Sequence, residues 1–328
     1  MILAGDIGGT KTVVAIFEHT GGGLRLVRDA TFKSKEHPTL EGILGEFLKG
    51  ESGLKLDAGC FGVAGAVIDG KCRTTNLPWQ LDEVTLARAI GAPRAKLLND
   101  LEAAAFGMLF LRPDELKVLN AGVQPKRNGN VAVVAAGTGL GEAMLYWDGQ
   151  KHHPIASEGG HADFAPRNDL EIEMFNYLRP KFDGHVSYER ILSGPGFDNV
   201  YAFLRDSGHY PETPELREKY KGGDPTVIAT QLGLRREDPL CTATVDLFSE
   251  IYGAEAGNLA LKCVAVGGVY VGGGIAPKML VALENGSFMR GFTDKGRFSS
   301  LMRTMPVSVS LNPRAPLIGA ANFALRLV

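Results

Sequence analysis

Two segments of the sequence share one pattern, an apolar run, a Gly-Thr turn and a second apolar run. They are MILAGDIGGTKTVVAIFE (residues 1–18) and NVAVVAAGTGLGEAMLYW (residues 130–147). Apolar runs of this length on both sides of turn glycines predict β-hairpins. We interpret the pair as a degenerate internal duplication, which predicts two related α/β lobes in one chain.

The length and charge of the chain limit its class. The 328 residues suit two lobes of roughly 100–200 residues each. A formal net charge of −2 at pH 7 gives no electrostatic case for binding nucleic acid or an anionic membrane. No apolar run approaches the ~18–20 residues of a membrane span, and no basic segment precedes the first apolar residues. We therefore expect a cytoplasmic protein without nucleic-acid or membrane partners.

The four cysteines are scattered along the chain. They are Cys60, Cys72, Cys241 and Cys263, and none forms a C-x-x-C pair. This spacing argues against a zinc ribbon or a disulfide framework and fits a reducing compartment. We expect buried free thiols.

The remaining sequence alternates predicted strands and helices. Glycine and proline punctuate the pattern, and apolar periodicity sets the type of each element. The predicted elements are a strand and hairpin over 56–79, a helix over 84–91, a strand over 95–100, a helix over 101–111, a short helix over 184–196 ending at Gly194-Pro195, an insertion of loops and short helices over 208–239, a long helix over 240–265, a strand over 305–312 and a helix over 315–328.

Three glycine-rich turns have the composition of phosphate-binding loops. They are residues 5–10, 137–141 and 272–274, and we expect the last of them to open a helix. One such turn is more often a plain hairpin, but three in one chain favour backbone amides gathered around phosphate. The first of them lacks the spacing of a P-loop and of a dinucleotide-binding fingerprint.

Asp6 lies in the first of these turns, where a carboxylate would repel a bare phosphate. Nucleoside triphosphates arrive with Mg²⁺, which proteins often hold through one or two carboxylates, directly or through water. We therefore predict that Asp6 accepts from a metal-bound water, and that Thr10, Lys11 and Thr12 donate toward phosphate oxygens. A solvated turn lysine explains Lys11 equally well.

Later segments supply polar side chains suited to a polyhydroxyl ligand. Asn99 and Asp100 end a strand directly before a helix, where capping is the simpler interpretation although both roles can coexist. Glu158 and His161 have E-x-x-H spacing, but the two glycines between them argue against a zinc-binding helix. Glu189 could favour a helix dipole. Together these carboxylates, an amide and an imidazole can exchange hydrogen bonds with hexose hydroxyls.

A series of motifs resembles those of bacterial glucokinases of the proteobacterial type. In chain order they are GDIGGTKT, TNLPW, LNDLEAAAFG, GTGLGEA, SEGGHADFAP, GHVSYERILSGPGF and YVGGGIAPK. That family belongs to the hexokinase, actin and heat-shock chaperone ATPase superfamily. The resemblance implies an α/β fold of two ribonuclease-H-like (actin-like ATPase/hexokinase) lobes with a ligand cleft between them, and a homodimer. The small domain would be 1–110 plus 311–328, so that the helix from residue 315 returns to the first lobe, and the large domain 111–310.

The same resemblance implies a function and a site. We expect ATP-dependent phosphorylation of D-glucose at its 6-hydroxyl, the first step of glycolysis, with ATP and Mg²⁺ as cofactors and Asp100 as general base. Asp6 would reach the Mg²⁺ through water. The implied glucose ligands are Asn99, Asp100, Glu158, His161 and Glu189. The implied ATP-binding residues are Gly5, Asp6, Ile7, Gly8, Gly9, Thr10, Lys11, Gly137, Thr138, Gly272, Gly273 and Gly274.

Three other functions stay open on the sequence. A kinase for mannose, fructose or an N-acetylated amino sugar would differ only in single hydroxyl contacts. A nonenzymatic sugar sensor would need neither Asp6 nor Asp100. A polymerising or chaperone ATPase would not need the later polar set. With Lys11, the first loop resembles that of ROK sugar kinases, although the cysteine-rich zinc motif of that group is missing.

Overall fold

The computed structural model describes residues 1–21, 23–51, 53–123 and 128–328. Its strands are β1 (Ile2–Ile7), β2 (Lys11–Thr20), β3 (Gly23–Lys33), β4 (Ala58–Val63), β5 (Val67–Ile68), β6 (Lys71–Arg73), β7 (Gln80–Asp82), β8 (Ala95–Asn99), β9 (Leu116–Val118), β10 (Val131–Ala136), β11 (Leu140–Trp147), β12 (His152–Ser157), β13 (Gly268–Gly272) and β14 (Val307–Ser310). Its α-helices are α1 (Leu40–Leu48), α2 (Glu83–Ile90), α3 (Asp100–Met108), α4 (Asp169–Leu178), α5 (Gly194–Asp206), α6 (Pro214–Tyr220), α7 (Pro225–Leu234), α8 (Pro239–Cys263), α9 (Leu280–Glu284), α10 (Ser287–Thr293), α11 (Ser299–Met302) and α12 (Ala315–Ala324).

Two mixed sheets with the same strand order form the centres of two lobes. The first sheet runs β3-β2-β1-β4-β8, and the second runs β12-β11-β10-β13-β14 with β9 added at its edge. In each sheet the three strands of the meander pair antiparallel and the two later strands are parallel to the central one. This shared order confirms the predicted α/β fold and supports the predicted duplication.

Both predicted hairpins are present at equivalent positions. β1 pairs with β2 up to Ile7 opposite Thr12, and β10 pairs with β11 up to Ala136 opposite Leu140. The Gly8 N–H donates to the Lys11 carbonyl at 3.0 Å in the first turn. The two glycine turns therefore lie at the carboxyl ends of the central strands, where α/β sheets bind ligands.

The helices α3 and α12 cross in contact between the two sheets. An added Cβ at Gly107 would lie 1.9 Å from the Ala315 carbonyl oxygen, and one at Gly319 would lie 1.8 Å from the Ala103 oxygen. Glycine is therefore required for the backbones to approach this closely. The other face of α12 packs on β1 and β4, so this helix does return to the first lobe.

The helix α8 is the centre of the second lobe. Its 25 residues are buried on most sides, as expected for a helix surrounded by other helices and a sheet. Tyr252 accepts from the Ala136 N–H at 3.0 Å, and its hydroxyl lies 3.3 Å from the Val134 and Gly272 oxygens. It therefore fixes the ends of β10 and β13. No helix of the described ranges, α8 included, is long and apolar enough to cross a bilayer.

The predicted insertion and the predicted thiols agree with the structure. Residues 208–239 form loops, α6 and α7, and Leu216 and Leu232 are buried in the core around α8. All four cysteines are free, and three of them are buried; Cys263 is half-buried.

The short helix predicted over 184–196 is wrong in its limits. The structure has one 3₁₀ turn at Tyr188–Arg190, and Gly194-Pro195 begins α5 instead of ending a helix. Ser193 caps α5 by accepting from the Gly196 N–H at 3.0 Å. Proline is tolerated in the first turn of a helix, as at Pro195, because the N–H that it lacks would have no partner within the helix there. The amino end of α5 consequently contacts the second glycine turn, since the Gly194 N–H donates to the Gly137 oxygen at 2.9 Å.

The sequence predicted that the third glycine turn opens a helix directly, and this prediction is wrong. Residues 273–279 form successive turns, and α9 begins only at Leu280. The Ile275 N–H donates to the Ala136 oxygen at 3.1 Å, so the chain first folds back over the end of β10. Gly273 has φ +79°, and an added Cβ would lie 2.2 Å from that same oxygen. This close approach delays the helix.

Candidate functional site

A cleft of about 750 Å³ opens at the carboxyl ends of the two sheets. Both lobes line it, although their contributing segments are far apart in sequence. The predicted site residues in its wall are Asp6, Asn99, Asp100, Gly137, Thr138, Glu158, His161, Glu189, Gly273 and Gly274. The structure thus brings together the two acids of the first lobe and the polar loops of the second.

Other predicted residues lie outside the cleft wall. They are Gly5, Ile7, Gly8, Gly9, Thr10, Lys11 and Gly272. The Ile7 side chain is buried in the core, and an added Cβ at Gly5 would lie 2.7 Å from the Phe61 ring. Thr10 and Lys11 are exposed. A phosphate-binding role for the first turn therefore rests on its backbone amides and its exposed side chains.

The sequence predicted that Thr12 donates toward phosphate, and this prediction is wrong because Thr12 does not face the cleft. It is fully buried, because it pairs with Ile7 and turns inward. Its Oγ1 lies 3.0 Å from Ser34 Oγ, which donates to the Gly8 oxygen at 2.7 Å. The Ser34 N–H also donates to the Thr10 oxygen at 3.0 Å. Ser34 and Thr12 therefore support the first turn from below; Ser34 carries no motif that could have revealed it.

Asp6 lies on β1, half-buried at the floor of the cleft. Burial, with the negative charge of Asp100, raises the pKa of Asp6 to about 6, while the positive charge of Lys11 opposes the rise. Two neighbouring carboxylates in a partly dry cleft repel each other. A bound cation would relieve that repulsion.

Asn99 and Asp100 join β8 to α3, and the predicted capping role of Asn99 is confirmed. The Leu101 N–H donates to Asn99 Oδ1 at 2.9 Å, and the Glu102 carboxylate accepts from the Asn99 N–H at 2.9 Å, which completes a capping box. Asn99 Nδ2 donates to the Gly65 oxygen at 3.2 Å. The cap holds both side chains at the cleft edge.

Asp100 is the first residue of α3 and is half-buried. Burial raises the pKa of Asp100 above its ordinary value, and the negative charge of Glu158 adds to the rise. A hydrogen bond from the Leu101 N–H to Oδ1, 2.8 Å long, opposes it. One carboxylate oxygen is thus fixed by the backbone, and the other is available to a ligand.

The Glu158–His161 turn is a 3₁₀ turn pressed against β11. An added Cβ at Gly160 would lie 2.0 Å from the Leu140 oxygen, and one at Gly159 would lie 2.2 Å from Glu142 Oε2. The two glycines are therefore needed for close packing. Among the described residues, no group of three or more His, Cys, Asp or Glu side chains is placed to hold a metal ion.

Glu189 connects this turn to the second glycine turn. Its Oε2 accepts from the Leu140 N–H at 3.0 Å, and its Oε1 lies 3.9 Å from His161 Nδ1. The segments that carry His161 and Glu189 pair with each other, since the Tyr188 N–H donates to the Ala162 oxygen at 3.1 Å. The two side chains therefore stand next to each other at the cleft.

Four polar residues of the cleft wall were not predicted: Ser157, Lys278, Ser310 and Asn312. Ser157 directly precedes Glu158, and Lys278 ends the GGGIAPK motif, so each lay beside a signal already noted. Asn312 accepts from the Arg314 N–H at 2.8 Å and donates to Glu115 at 2.8 Å. No sequence pattern marks Asn312.

Comparison with known proteins decides the family. The family model described as Glucokinase matches residues 3–327. This chain belongs to the glucokinase family. It is 39% identical to the glucokinase of Nostoc punctiforme, over 100% of this chain and 99% of that one. It is 42% identical to the glucokinase of Synechocystis, over 97% and 96% respectively.

Solved structures of the family agree with the fold described above. The crystal structure of glucokinase from an Antarctic psychrotroph superposes with a TM-score of 0.88 at 30% identity, covering 99% of this chain and 98% of that one. The two-lobe architecture and its cleft are thus those of the glucokinase family.

Proposed function

We propose that this chain transfers the γ-phosphoryl group of ATP to the 6-hydroxyl of D-glucose. Membership of the glucokinase family supports the reaction. The observation that carries the proposal is the meeting, in one cleft, of two acids of raised pKa with the second and third glycine turns and a set of polar side chains suited to a sugar. A pure sugar sensor needs no such acid pair, and the family match does not favour another hexose or a polymerising ATPase.

Asp100 is the general base of this proposal. Its raised pKa makes it a better proton acceptor than an ordinary aspartate, and the Leu101 N–H holds its carboxylate in one orientation. The second oxygen takes the proton of the sugar 6-hydroxyl as that hydroxyl attacks. Since phosphoryl transfer has a loose transition state, positioning and charge neutralisation supply most of the rate.

The sugar is bound by side chains from both lobes. Asn99 retains one free amide hydrogen after capping α3, because its other hydrogen goes to Gly65. Glu189 retains one carboxylate oxygen after binding the Leu140 N–H. Glu158 and His161 are exposed to the cleft and complete the set of donors and acceptors. Closure of the cleft over this set excludes water from the phosphoryl group.

ATP lies across the glycine turns. The backbone of Gly137 and Thr138, together with that of residues 8–11, binds phosphate oxygens, and Lys11 can reach them as an exposed cation. Gly273 and Gly274 would face the adenosine, and at Gly273 only a residue without a side chain fits against the Ala136 oxygen. Gly5, Ile7 and Gly272 act by shaping these turns.

The residues fit a magnesium ion that accompanies ATP. Asp6 is a half-buried carboxylate raised in pKa beside a second acid, with Lys11 as the opposing charge. Magnesium keeps most of its waters and needs only one or two carboxylates, so a three-ligand protein cluster is not required. Asp6 would hold the ion through water. The ion would supply neutralisation of the phosphate charge.

We extend the proposal to the arrangement of the chain. The chain would form a small domain of 1–110 plus 311–328 and a large domain of 111–310, and the packing of α12 on β1 and β4 supports this division. The chain would act as a homodimer in the cytoplasm, in the first step of glycolysis. Free thiols at all four cysteines support a reducing compartment. Light scattering on the purified chain tests the dimer.

A coupled ADP-release assay tests the function. Glucose, mannose, fructose and N-acetylglucosamine are compared with and without Mg²⁺, and a sugar-free reaction serves as the control. We expect Mg²⁺-dependent ADP release with glucose and little without sugar. If another hexose gave a larger kcat/KM, that hexose would be the substrate in place of glucose. Fast release without any sugar would contradict the kinase.

A further inference from the structure

A pair of buried glutamates lies directly behind the sugar side of the cleft. Glu142, on β11, is 1% exposed, and Glu255, on α8, is 0% exposed. Their carboxyl groups lie within hydrogen-bonding reach of each other. Both oxygens of Glu142 and Oε1 of Glu255 receive no hydrogen bond from the described residues. Since two ionised carboxylates so close together are strongly unfavourable in a dry site, the pair holds one proton.

Glu142 contacts the turn that carries two of the proposed sugar ligands. It stands opposite Ser157 in the β11–β12 ladder, and an added Cβ at Gly159 would lie 2.2 Å from its Oε2. The Gly159 N–H in turn donates to Ser157 Oγ at 2.9 Å. The carboxyl group of Glu142 therefore supports the backbone between Glu158 and His161.

Glu255 reaches the third sugar ligand through a second contact. Asn258 Nδ2 donates to Glu255 Oε2 at 2.8 Å and to the Tyr188 hydroxyl at 3.0 Å. Tyr188 is buried and directly precedes Glu189. The buried pair is thus in contact with both segments that line the sugar side of the cleft.

The surrounding charges do not remove the need for a proton. Lys262, also on α8, has its Nζ 4.0 Å from Glu255 Oε1 but is 57% exposed. Lys295 also interacts electrostatically with Glu255, and the charge of Glu171 acts on Tyr188. Burial and the negative charge of Glu255 raise the pKa of Glu142 to about 8, and Lys262 opposes the rise. The protonated pair is therefore the form present at neutral pH.

We propose that protonated Glu142 is a positioning residue for the sugar: by donating to Glu255 it fixes the Glu158–His161 turn and the segment ending in Glu189. This inference rests on the proposed function, because it concerns the ligands of glucose. When the proton is lost, two negative charges face each other beneath Gly159 and the turn shifts. Glucose then binds more weakly, because Gly159 lies between two of its proposed ligands, Glu158 and His161.

Calorimetry at two pH values tests the role in binding. Between pH 7 and pH 9 the protonated fraction falls about tenfold, so the glucose Kd of the wild type rises about tenfold. Glu142→Gln keeps a neutral donor, so its glucose Kd stays within about twofold over that range. Glu142→Ala raises the glucose Kd already at pH 7. A pH profile of Glu142→Gln identical to that of the wild type would overturn the proposal.

Glu250→Gln is the matched control, because Glu250 lies on the same helix as Glu255 and pairs with Arg167 and Arg290 away from the cleft. It should keep the wild-type pH profile. If it flattens the profile as much as Glu142→Gln does, the effect is not specific to the pair and the proposal fails. Should Glu142→Gln fail to fold, Glu255→Gln removes the same charge and is expected to give the same flat profile.

Urea unfolding separates this inference from the proposed function. Glu142 is neutral in the fold and ionised in the unfolded chain above about pH 4.5, so its contribution to the free energy of unfolding falls as pH rises toward 8. Glu142→Gln removes that fall, with or without kinase activity. A fall that Glu142→Gln leaves unchanged would overturn the shared proton. A chain that shows the fall but neither binds nor phosphorylates glucose would overturn the proposed function.

Discussion

The two glycine turns occupy the same place in two sheets, yet different partners hold them. In the first lobe, Ser34 donates to the Gly8 oxygen and is itself held by Thr12. Both hydroxyls are neutral and belong to that lobe alone. In the second lobe, the Leu140 N–H donates to Glu189, a charged residue that also faces His161 across 3.9 Å.

This difference teaches how one duplicated motif can serve two purposes. The first turn is supported independently of the sugar, and the acids beside it, Asp6 and Asp100, supply the proposed chemistry. The second turn is supported by a proposed sugar ligand, so occupation of the sugar site and the position of a phosphate turn are linked. The first lobe would therefore control turnover, and the second would control the coupling of the two substrates.

The largest effect is expected from the first lobe. In Asp100→Asn the amide cannot accept the hydroxyl proton, and general-base help is typically worth ~10²–10⁴-fold. Turnover in the coupled assay should fall at least about a hundredfold while the glucose Kd changes little. Asp82→Asn is the control, because Asp82 caps α2 in the same lobe away from the cleft. Near-normal turnover of Asp100→Asn would exclude Asp100 as the base.

Asp6 is expected to support activity while lowering the free energy of unfolding. Its pKa of about 6 lies above the ordinary 3.8, so its ionisation on raising the pH destabilises the fold between those values. At pH 7, Asp6→Asn should raise the free energy of unfolding by up to about 3 kcal/mol and abolish activity. Wild-type kcat/KM should fall as pH drops through about 6, because both acids act in their ionised form.

Urea unfolding of Asp6→Asn at pH 7 measures the first effect. Asp57→Asn should change stability in the opposite direction, since the pKa of Asp57 lies below its ordinary value beside the N-terminal amine. A destabilised Asp6→Asn would mean that Asp6 has a favourable partner in the free protein.

The crossing of α3 and α12 positions Asp100 and should tolerate no side chain. Gly319→Ala places a Cβ against the Ala103 carbonyl, and overpacking of this kind typically costs about 1–3 kcal/mol. Gly45→Ala in α1 is the control, because its Cβ meets no atom within 4 Å and should stabilise the helix by about 0.4–1 kcal/mol. Thermal unfolding compares them. If the two variants changed thermal stability equally, the two helices could separate without a loss of stability.

The smallest expected effects separate the two turns. Glu189→Gln loses a charged acceptor, worth about 1.5–3 kcal/mol, so the KM of both ATP and glucose should rise about tenfold or more. Ser34→Ala loses a neutral hydrogen bond, worth about 0.5–1.5 kcal/mol, so the ATP KM alone should rise by about twofold to tenfold. A glucose KM that responds equally to both variants would remove the distinction between the lobes.

Local patterns were enough to predict the elements and most of the cleft. The glycine turns, the capping residue Asn99 and the fold of two related lobes follow from short-range rules of turns, caps and strand pattern. The motifs predicted which loops would meet at the cleft. The prediction of a helix over 184–196 was wrong because proline can begin a helix as well as follow one.

Contacts between distant segments could not be predicted. Ser34 beneath Gly8, Tyr252 beneath two strand ends and Glu255 against Glu142 each join residues far apart in the chain. Nothing local distinguishes Glu142 from an exposed strand glutamate. Thr12 was misplaced for the same reason, since the register of the hairpin turns its hydroxyl inward.

The packing of α12 on β1 has a consequence for synthesis on the ribosome. Residues 315–324 cover a face of the sheet whose central strand is made some 300 residues earlier, with the whole second sheet in between. The nascent first sheet must therefore keep Ala4 and Ala15 uncovered until the second sheet has been translated, which favours folding of the second lobe first.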